Sequence, residues 1–448
     1  MRCFFREFDV GRAPDEYYQY IAGRISKDEL KSKYKNEWSA AENAVFNLSL
    51  GGDTNYKKLH SDFNRRLGRK AKWILMGGPP CQSYSCFTRH YRRNKIYRER
   101  DVKSFFYREF IKLIAKHQPP LFLMENVIGL LSVKINGELL FNDIFNGLKN
   151  PKDGLRYRLY SFSHCGEIRS PNDGEWFLLN AADYGIPQFR QRLFIFGVRE
   201  DINLQPDILT GQRPPSFGEV CGGFDMLRGR ISSGDNDKSF NRVLQSAKNS
   251  AWFASDKVQK THIKKIILSS LDSVSKLNLK YKSGAYSPSV GVAKSWYNDE
   301  RLTSISGHET TGVTPENLHR YLFAIAYYNQ CGRSPGHHDF PKGMVLNYKC
   351  VRDNYKLIHF PIPYRVPDPA KICHTIIGRL DRMYIHTDPA QCRSLSLREG
   401  ARIQTFPDNY HFEGGLTDQL QQLGNAVPPY LAYQIGRLVK DFFDRVKL

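Results

Sequence analysis

The sequence predicts an α/β protein in which helices cover one sheet and a second region is less regular. Between residues 71 and 199, short apolar runs alternate with amphipathic stretches, the pattern of strands and helices in a parallel sheet. After residue 199 this alternation stops. The chain has 448 residues, roughly three times the common domain size of about 150. We therefore expect two or three domains.

The predicted sheet begins with a buried strand at residues 73–76, which ends at Gly77-Gly78-Pro79-Pro80. The further elements follow in order: a helix from Asp101 to the prolines at 119 and 120, a strand at 121–124, a helix at 137–149, and strands at 157–162 and 193–198. Sites in such sheets lie at the carboxyl ends of the strands. The residues that follow residues 76 and 124 are therefore the first candidates for chemistry.

The remainder of the chain divides into two further parts. Residues 200–375 are rich in turns, and the pattern predicts one helix there, at 315–328. From Leu397 a short helix, a turn at 406–408 and a final helix from about Pro429 follow. One face of that helix is apolar, formed by Leu431, Ile435, Leu438, Val439, Phe442 and Val446. We predict a catalytic domain at 1–199, a variable domain at 200–375, and a segment at 376–448 that returns to the first domain.

Composition limits the class of protein and of partner. Lys and Arg number 66 against 45 Asp and Glu, a formal net charge of +21, which favours nucleic acid as a partner. No apolar run approaches the about 20 residues that a membrane span needs, and the first residues do not form a signal peptide. Nine cysteines without a Cys-x-x-Cys pair are typical of a reducing compartment, so we expect a cytoplasmic protein.

Cys81 follows the first predicted strand and is the candidate nucleophile. Pro79 and Pro80 stiffen its approach, and a thiolate needs a cationic setting. The basic residues that follow it are Arg89, Arg92, Arg93, Lys95, Arg98 and Arg100, with Tyr91 and Tyr97 between them. This stretch is either a loop that closes on phosphates and stacked bases or a solvated loop. A small buried cysteine is the alternative for Cys81 itself.

Three charged residues form the second part of the candidate site. Glu125 ends the strand that follows, and neighbouring strand ends share a cleft. Arg190 and Arg192 flank Gln191 on an extended segment, so both side chains point the same way. A helix cap or ion pair is the alternative for the acid, and a surface ion pair for either arginine.

No metal site is predicted. Four cysteines with nearby histidines suggest a zinc site, but their spacings of 19, 23 and 19 residues match no common ligand pattern. These cysteines are Cys331, Cys350, Cys373 and Cys392. We expect them to lie in the core.

Five motifs occur in an order that resembles the DNA (cytosine-5) methyltransferase family, and its bacterial members most closely. They are Pro79-Pro80-Cys81-Gln82, Glu125-Asn126-Val127, Gln188-x-Arg190-x-Arg192, the run from Arg398 to Asp408, and Gly424-Asn425-Ala426-Val427-Pro428-Pro429. The resemblance implies a Rossmann-like methyltransferase sheet domain, and it implies that residues 200–375 form a target-recognition domain.

The resemblance also implies residue roles. The thiolate of Cys81 attacks C6 of a cytosine flipped out of the duplex. Glu125 holds N3 and the exocyclic amine, Arg192 orients the base and the acid, and Arg190 lines the pocket. C5 then takes the methyl group of S-adenosylmethionine. The residues that match the family's cofactor side are Pro80, Asn425 and Val427.

One family motif has no match. Members carry a glycine-rich turn, approximately Phe-x-Gly-x-Gly-Gly, before the catalytic cysteine, whereas no Gly-x-Gly occurs before Cys81 or after Pro429. We therefore expect a chain that lacks the N-terminal strands and the cofactor motif, and that binds S-adenosylmethionine weakly by itself. Asp62 is a loose match to the family's adenine-side acid.

The resemblance therefore predicts a bacterial enzyme that methylates double-stranded DNA as the modification partner of a restriction endonuclease. We expect a monomer, because a monomer is adequate for asymmetric docking on one strand. One alternative is a cytosine-5 methyltransferase that acts on RNA, and the length of 200–375 favours DNA over it. The other alternative is a truncated, inactive remnant that only binds DNA.

Overall fold

The fold is that of a computed structural model, which describes residues 13–45, 48, 53–68, 72–80, 106–135, 137–277, 279–286, 288–289, 294–344 and 364–446. The α-helices in these ranges are α1 (Asp15–Ile21), α2 (Lys27–Lys33), α3 (Lys35–Ala44), α4 (Asp53–Leu67), α5 (Phe106–His117), α6 (Leu140–Lys149), α7 (Phe217–Cys221), α8 (Asp237–Gln245), α9 (Asp256–Gln259), α10 (Ile263–Lys276), α11 (Lys294–Tyr297), α12 (Pro315–Cys331), α13 (Leu380–Met383), α14 (Leu397–Ile403), α15 (Leu416–Asn425) and α16 (Pro429–Arg445). The strands are β1 (Ile74–Gly77), β2 (Leu121–Val127), β3 (Lys134–Ile135), β4 (Glu138–Leu139), β5 (Tyr157–Tyr160), β6 (Leu178–Asn180), β7 (Gln188–Phe189), β8 (Gln191–Arg199), β9 (Arg230–Ile231), β10 (Gly312–Val313) and β11 (Cys373–His374).

The main sheet has the strand order β1-β2-β8-β5, with β6 beside β8. Strands β1 and β2 are parallel, and the chain between them includes α5. The prediction of a parallel sheet is wrong for β8, which runs antiparallel to β2, β5 and β6. Parallel neighbours need a long crossover, usually a helix. Residues 161–190 contain only 3₁₀ turns and the short strands β6 and β7, so the chain reverses there.

The core of this sheet is built on β2 and β8. Apolar residues of both strands are almost fully buried, as the continuous apolar run at Leu121–Met124 predicted. The ring of Phe122 on β2 lies over its partner Gly197 on β8. A Cβ at Gly197 would lie 2.1 Å from that ring, so only glycine fits there. The apolar face predicted for the last helix is confirmed, because α16 buries Leu431, Ile435, Val439 and Phe442. The ring of Phe442 contacts the ring of Phe196.

The chain divides into two compact units, each taken over its described residues. The sheet unit comprises residues 42–185, 190–213 and 431–448, and the second unit comprises residues 1–41, 186–189 and 214–430. The predicted parts met at residues 199 and 375, whereas this division groups 376–430 with the second unit. The functional roles predicted for those parts stay predictions.

Helices within 200–375 correct the prediction of an irregular region. The predicted helix at 315–328 is confirmed as α12, which ends where Gly332 adopts φ 67°. Helices α8 and α10 were not predicted, although Asn236 caps α8 and α10 buries Ile263, Ile267 and Leu271 at helical spacing. Their apolar faces pack with α12 into a core of the second unit.

The first helix belongs to the second unit through tyrosine hydrogen bonds. The Tyr17 hydroxyl donates to the backbone oxygen of Asn409 at 2.7 Å, and the Tyr20 hydroxyl donates to Glu413 at 2.6 Å. These contacts join residues almost four hundred positions apart, so the pattern of the intervening chain could not predict them.

The predicted short helix from Leu397 is confirmed as α14, and all of its residues are buried. Two of its charged side chains are ion-paired: Glu399 with Arg393 at 2.7 Å, and Arg402 with Asp408 at 2.8 Å. The third, Arg398, donates to the backbone oxygens of Ser306 and Tyr410, each at 2.9 Å. A buried charge is tolerated when it is paired and hydrogen-bonded. The charged residues of this motif are therefore part of the core. Across the described ranges, no helix is both long and apolar enough to cross a membrane.

Candidate active site

The carboxyl ends of β1 and β2 lie side by side. Gly77 pairs with Met124 in the parallel register, so the chain that leaves β1 at Gly78 runs beside Glu125. A Cβ at Gly78 would lie 3.3 Å from Glu125 Oε2. The absence of a side chain at Gly78 therefore leaves space for the carboxylate of Glu125. Cys81 and the basic stretch at 89–100 lie outside the described residues.

Asn126 joins these two strand ends. Its side chain is buried, with 3% of the residue exposed, and Nδ2 donates to the backbone oxygen of Pro79 at 3.3 Å. Its Oδ1 accepts from the backbone N–H of Val127 at 2.9 Å. Because a buried amide is costly unless it is hydrogen-bonded, this arrangement fixes the turn after β1 against the end of β2.

Strand β8 brings an arginine to the same edge. Because β8 is antiparallel to β2, its first residues face the last residues of β2, and Arg192 pairs with Val127. Arg192 Nε lies 3.3 Å from Glu125 Oε1. Arg192 Nη1 also donates to the backbone oxygen of Gln191 at 2.8 Å. The guanidinium group is thus held by the strand and directed at the carboxylate.

Burial controls the protonation of Glu125. Removal of its carboxylate from water raises its pKa, and the charges of Arg192 and Arg190 act in the opposite direction without cancelling that effect. Arg190 is almost completely buried, with 2% of the residue exposed. A carboxyl group with a raised pKa can hold a proton closer to neutral pH than an ordinary glutamate, which suits a proton donor.

The structure places the predicted residues in two groups. Glu125, Arg190 and Arg192 belong to the sheet unit, and the two arginines both act on the charge of the acid. Pro80 is exposed in the same unit. Asn425 and Val427 belong to the second unit, at the end of α15 and just after it.

Sequence reasoning gave no role to Gly78 or Asn126. Asn126 lies in the motif Glu125-Asn126-Val127, but the motif alone does not predict its hydrogen bond to Pro79. Asp62, the loose match to an adenine-side acid, forms ion pairs with Arg65 and Arg66 along α4.

Comparison with known proteins identifies the family. The sequence profile of the C-5 cytosine-specific DNA methylases matches residues 26–441. The chain is 27% identical over 381 residues to Type II methyltransferase M.Bpa9945I of Bacillus paralicheniformis, across 83% of this chain and 71% of that protein. It is 26% identical over 383 residues to Type II methyltransferase M.DdeI of Desulfomicrobium norvegicum, across 84% of this chain and 74% of that protein.

Proposed function

Because the chain belongs to the C-5 cytosine-specific DNA methylase family, we propose that it methylates C5 of a flipped cytosine in duplex DNA, with S-adenosylmethionine as the methyl donor. The observation that supports this most directly is the contact of Arg192 with Glu125 beside the turn that precedes Cys81. An acid and an arginine held at one edge of a sheet can bind the polar edge of a base. The residue roles below are part of the proposal.

Cys81 is the nucleophile. C5 of cytosine is a poor nucleophile, and it becomes reactive when the Cys81 thiolate forms a bond to C6. The electron pair of the C5–C6 double bond then makes C5 an enamine carbon, which takes the methyl group. Loss of the C5 proton restores the double bond and expels the thiolate. A base inside the stack cannot be reached, so the cytosine must be flipped out.

Glu125 supplies the proton that this step needs at N3. Attack at C6 places negative charge on the ring, and a protonated carboxyl group beside N3 neutralises it. The raised pKa of Glu125 keeps more of the protonated form near neutral pH than an ordinary glutamate has. Arg192 holds the carboxyl group in position, and Arg190 lines the base pocket behind it.

Pro80, Asn425 and Val427 are the residues proposed to hold the cofactor. The Asn425 side chain is exposed at the last residue of α15 and makes no hydrogen bond to another described residue. Its amide is therefore open to a polar ligand. Bound S-adenosylmethionine supplies an electrophilic methyl group on a sulfonium centre.

The net charge and the relatives support a proposal for the substrate and the setting. A net charge of +21 suits a polyanion, and neutralised phosphates make binding depend strongly on salt. We propose that the enzyme acts as a monomer on duplex DNA in the bacterial cytoplasm and modifies the site of a partner restriction endonuclease. The Type II names of the relatives support that partnership. Residues 200–375 are proposed as the target-recognition region.

Exchange of the C5 hydrogen tests the base chemistry without the methyl donor. Attack by Cys81, protonation at C5 and loss of the original hydrogen require only the base half of the site. We expect duplex DNA that carries tritium at cytosine C5 to release it, and Glu125→Gln to slow release by on the order of 10²-fold or more. Release from transfer RNA and not from DNA would establish the RNA alternative.

Methylation in the presence of S-adenosylmethionine tests the other half. We expect a methylated plasmid that one restriction endonuclease no longer cuts. Release of tritium without methylation would support the weak cofactor binding predicted from the absent glycine motif. Absence of both reactions would leave the inactive DNA-binding remnant.

A further inference from the structure

An arginine in the second unit lies over an exposed tyrosine ring. The guanidinium carbon of Arg230 is 5.0 Å from the ring centroid of Tyr281. Arg228 contacts the same ring at 5.5 Å and the ring of Phe240 at 4.9 Å. Stacking on an aromatic ring leaves the edge of a guanidinium group, which carries its N–H donors, open to a ligand.

Arg228 has a structural role. It is buried, with 6% of the residue exposed. It forms ion pairs with Asp235 at 3.0 Å and with Asp237 at 2.9 Å, and its Nη1 donates to the backbone oxygen of Gly229 at 2.8 Å. Its charge and its donors are therefore used within the fold.

Arg230 differs from Arg228 in its burial and in its ion pairing. It is half-buried, and none of the described carboxylates forms an ion pair with it. Strand alternation accounts for its direction: the next residue, Ile231, lies in the core, so Arg230 points away from the core. The pairing of β9 with β10 holds its backbone.

Tyr281 is held just as firmly. Its backbone oxygen accepts from the N–H of Thr310 at 2.9 Å, and the backbone oxygen of Lys280 accepts from Arg228 N–H at 2.9 Å. The ring itself is exposed, with 38% of the residue accessible. Lys282 on its other side lies 3.8 Å from Glu309. Of the basic residues at this ring, Arg228 and Lys282 are therefore paired with acids, whereas Arg230 is not.

Arg333 provides a comparison within the same unit. It lies over Tyr327 at 5.0 Å, the same distance, but it also pairs with Asp339 at 2.8 Å. An arginine that only stabilises the fold has its donors satisfied in this way. Arg230 has the same stack and no such acid.

We propose that Arg230, held on the ring of Tyr281, reads a guanine in the recognised DNA sequence. This inference rests on the proposed function and extends it to one residue. A guanidinium fork matches the O6 and N7 acceptors that guanine presents in the major groove. A ring that fixes the fork in advance reduces the freedom lost on binding.

A binding selection tests this separately from methylation. The full chain and its variants are incubated with a library of random duplexes, and the retained DNA is sequenced. We expect the parent protein to enrich one short DNA sequence, here called its word. In Arg230→Ala, the preference for guanine at one position of that word should fall by about tenfold or more. The other positions should keep their preference. Arg333→Ala, the matched control, should leave the whole word unchanged.

Two variants of the ring separate its packing from its hydroxyl. Tyr281→Phe keeps the stack and should keep the word, whereas Tyr281→Ala should relax the same position as Arg230→Ala. An unchanged word in Arg230→Ala would overturn the inference. So would a uniform loss of affinity with a salt slope reduced by about 0.9, because that result marks a phosphate contact. Failure of the parent to enrich any word would overturn it too. Failure to methylate an enriched word would count only against the proposed function.

Discussion

Arg192 contacts Glu125 because their strands run in opposite directions. Glu125 lies near the end of β2 and Arg192 near the start of β8, and the antiparallel pairing brings Nε to 3.3 Å from Oε1. In a parallel sheet the first residues of β8 would lie at the far edge, away from the acid. The reversal of the chain before β8 is therefore what assembles the charged half of the candidate site.

Removal of the Arg192 charge should move the pH dependence of base attack. The charge of Arg192 lowers the pKa of Glu125 against the effect of burial, so Arg192→Gln should raise that pKa further. Because the proposed active form of Glu125 is the protonated carboxyl group, the fall in tritium release at high pH should shift to higher pH. The rate at neutral pH should drop at least tenfold, because the carboxyl group loses its anchor.

Arg192→Lys is the matched variant. Lysine keeps the positive charge but lacks the planar guanidinium group with its forked N–H donors. The rate of tritium release should therefore fall, while its pH profile should stay near that of the parent. The same pH profile in Arg192→Gln and in the parent would show that the guanidinium charge does not govern Glu125.

Gly78→Ala should impair the chemistry with little effect on folding. The added Cβ would lie 3.3 Å from Glu125 Oε2, so the carboxyl group must move by a few tenths of an ångström. Small displacements of a catalytic group are costly, and we expect tritium release to slow by about tenfold or more. Gly436→Ala is the control, because its added Cβ has no atom within 4 Å beyond its chain neighbours and the backbone of its own helix. An unchanged rate in Gly78→Ala would show that Glu125 does not need its present position.

Cys81→Ala should abolish both tritium release and methyl transfer. Without the thiolate no bond forms at C6, and C5 stays unreactive. Binding of duplex DNA should remain within a few-fold of the parent, because phosphate contacts supply most of the affinity. Turnover within tenfold of the parent would exclude Cys81 as the nucleophile.

Local pattern predicted the elements of this protein better than their pairing. The apolar run at 121–124 and the apolar face of α16 identified buried elements, because burial leaves a direct mark on the sequence. The direction of β8 was mispredicted, since alternation of strands and helices does not show which connection reverses. Helices α8 and α10 were not predicted, because the segments that flank them are rich in turns.

The candidate site shows the same limit. The resemblance named Glu125 and Arg192, but strand spacing alone could not predict their contact, which depends on antiparallel register between distant segments. The bond from Asn126 to Pro79 is a further tertiary contact of this kind. The sequence also could not predict that Arg228 forms ion pairs with both Asp235 and Asp237, so that Arg230 has neither of these acids as a partner.

His386, which lies beside the buried ion pair of Arg393 and Glu399, should make the protein sensitive to mild acid. Burial, together with the charge of Arg393, lowers the pKa of His386 to about 3. The folded protein therefore keeps this histidine neutral, whereas the unfolded chain takes up a proton below about pH 6.5. Because the unfolded state then binds more protons, the free energy of unfolding decreases as the pH falls, by up to about 1.4 kcal/mol per pH unit for this one group.

Glu399 acts over a lower range. Arg393 lowers its pKa against the effect of burial, so its contribution is present above the unfolded value of about 4.3 and is lost below it. Between about pH 6.5 and 4.5, the proton that the unfolded chain binds at His386 lowers the free energy of unfolding before Glu399 contributes. His386→Asn keeps an acceptor near the position where Nδ1 accepts from Asp388 N–H at 3.2 Å. In urea unfolding across this range, the free energy of unfolding of His386→Asn should change less steeply with pH than that of the parent. The difference should correspond to the uptake of as much as one proton. A parent slope in His386→Asn would show that this histidine takes up its proton without unfolding.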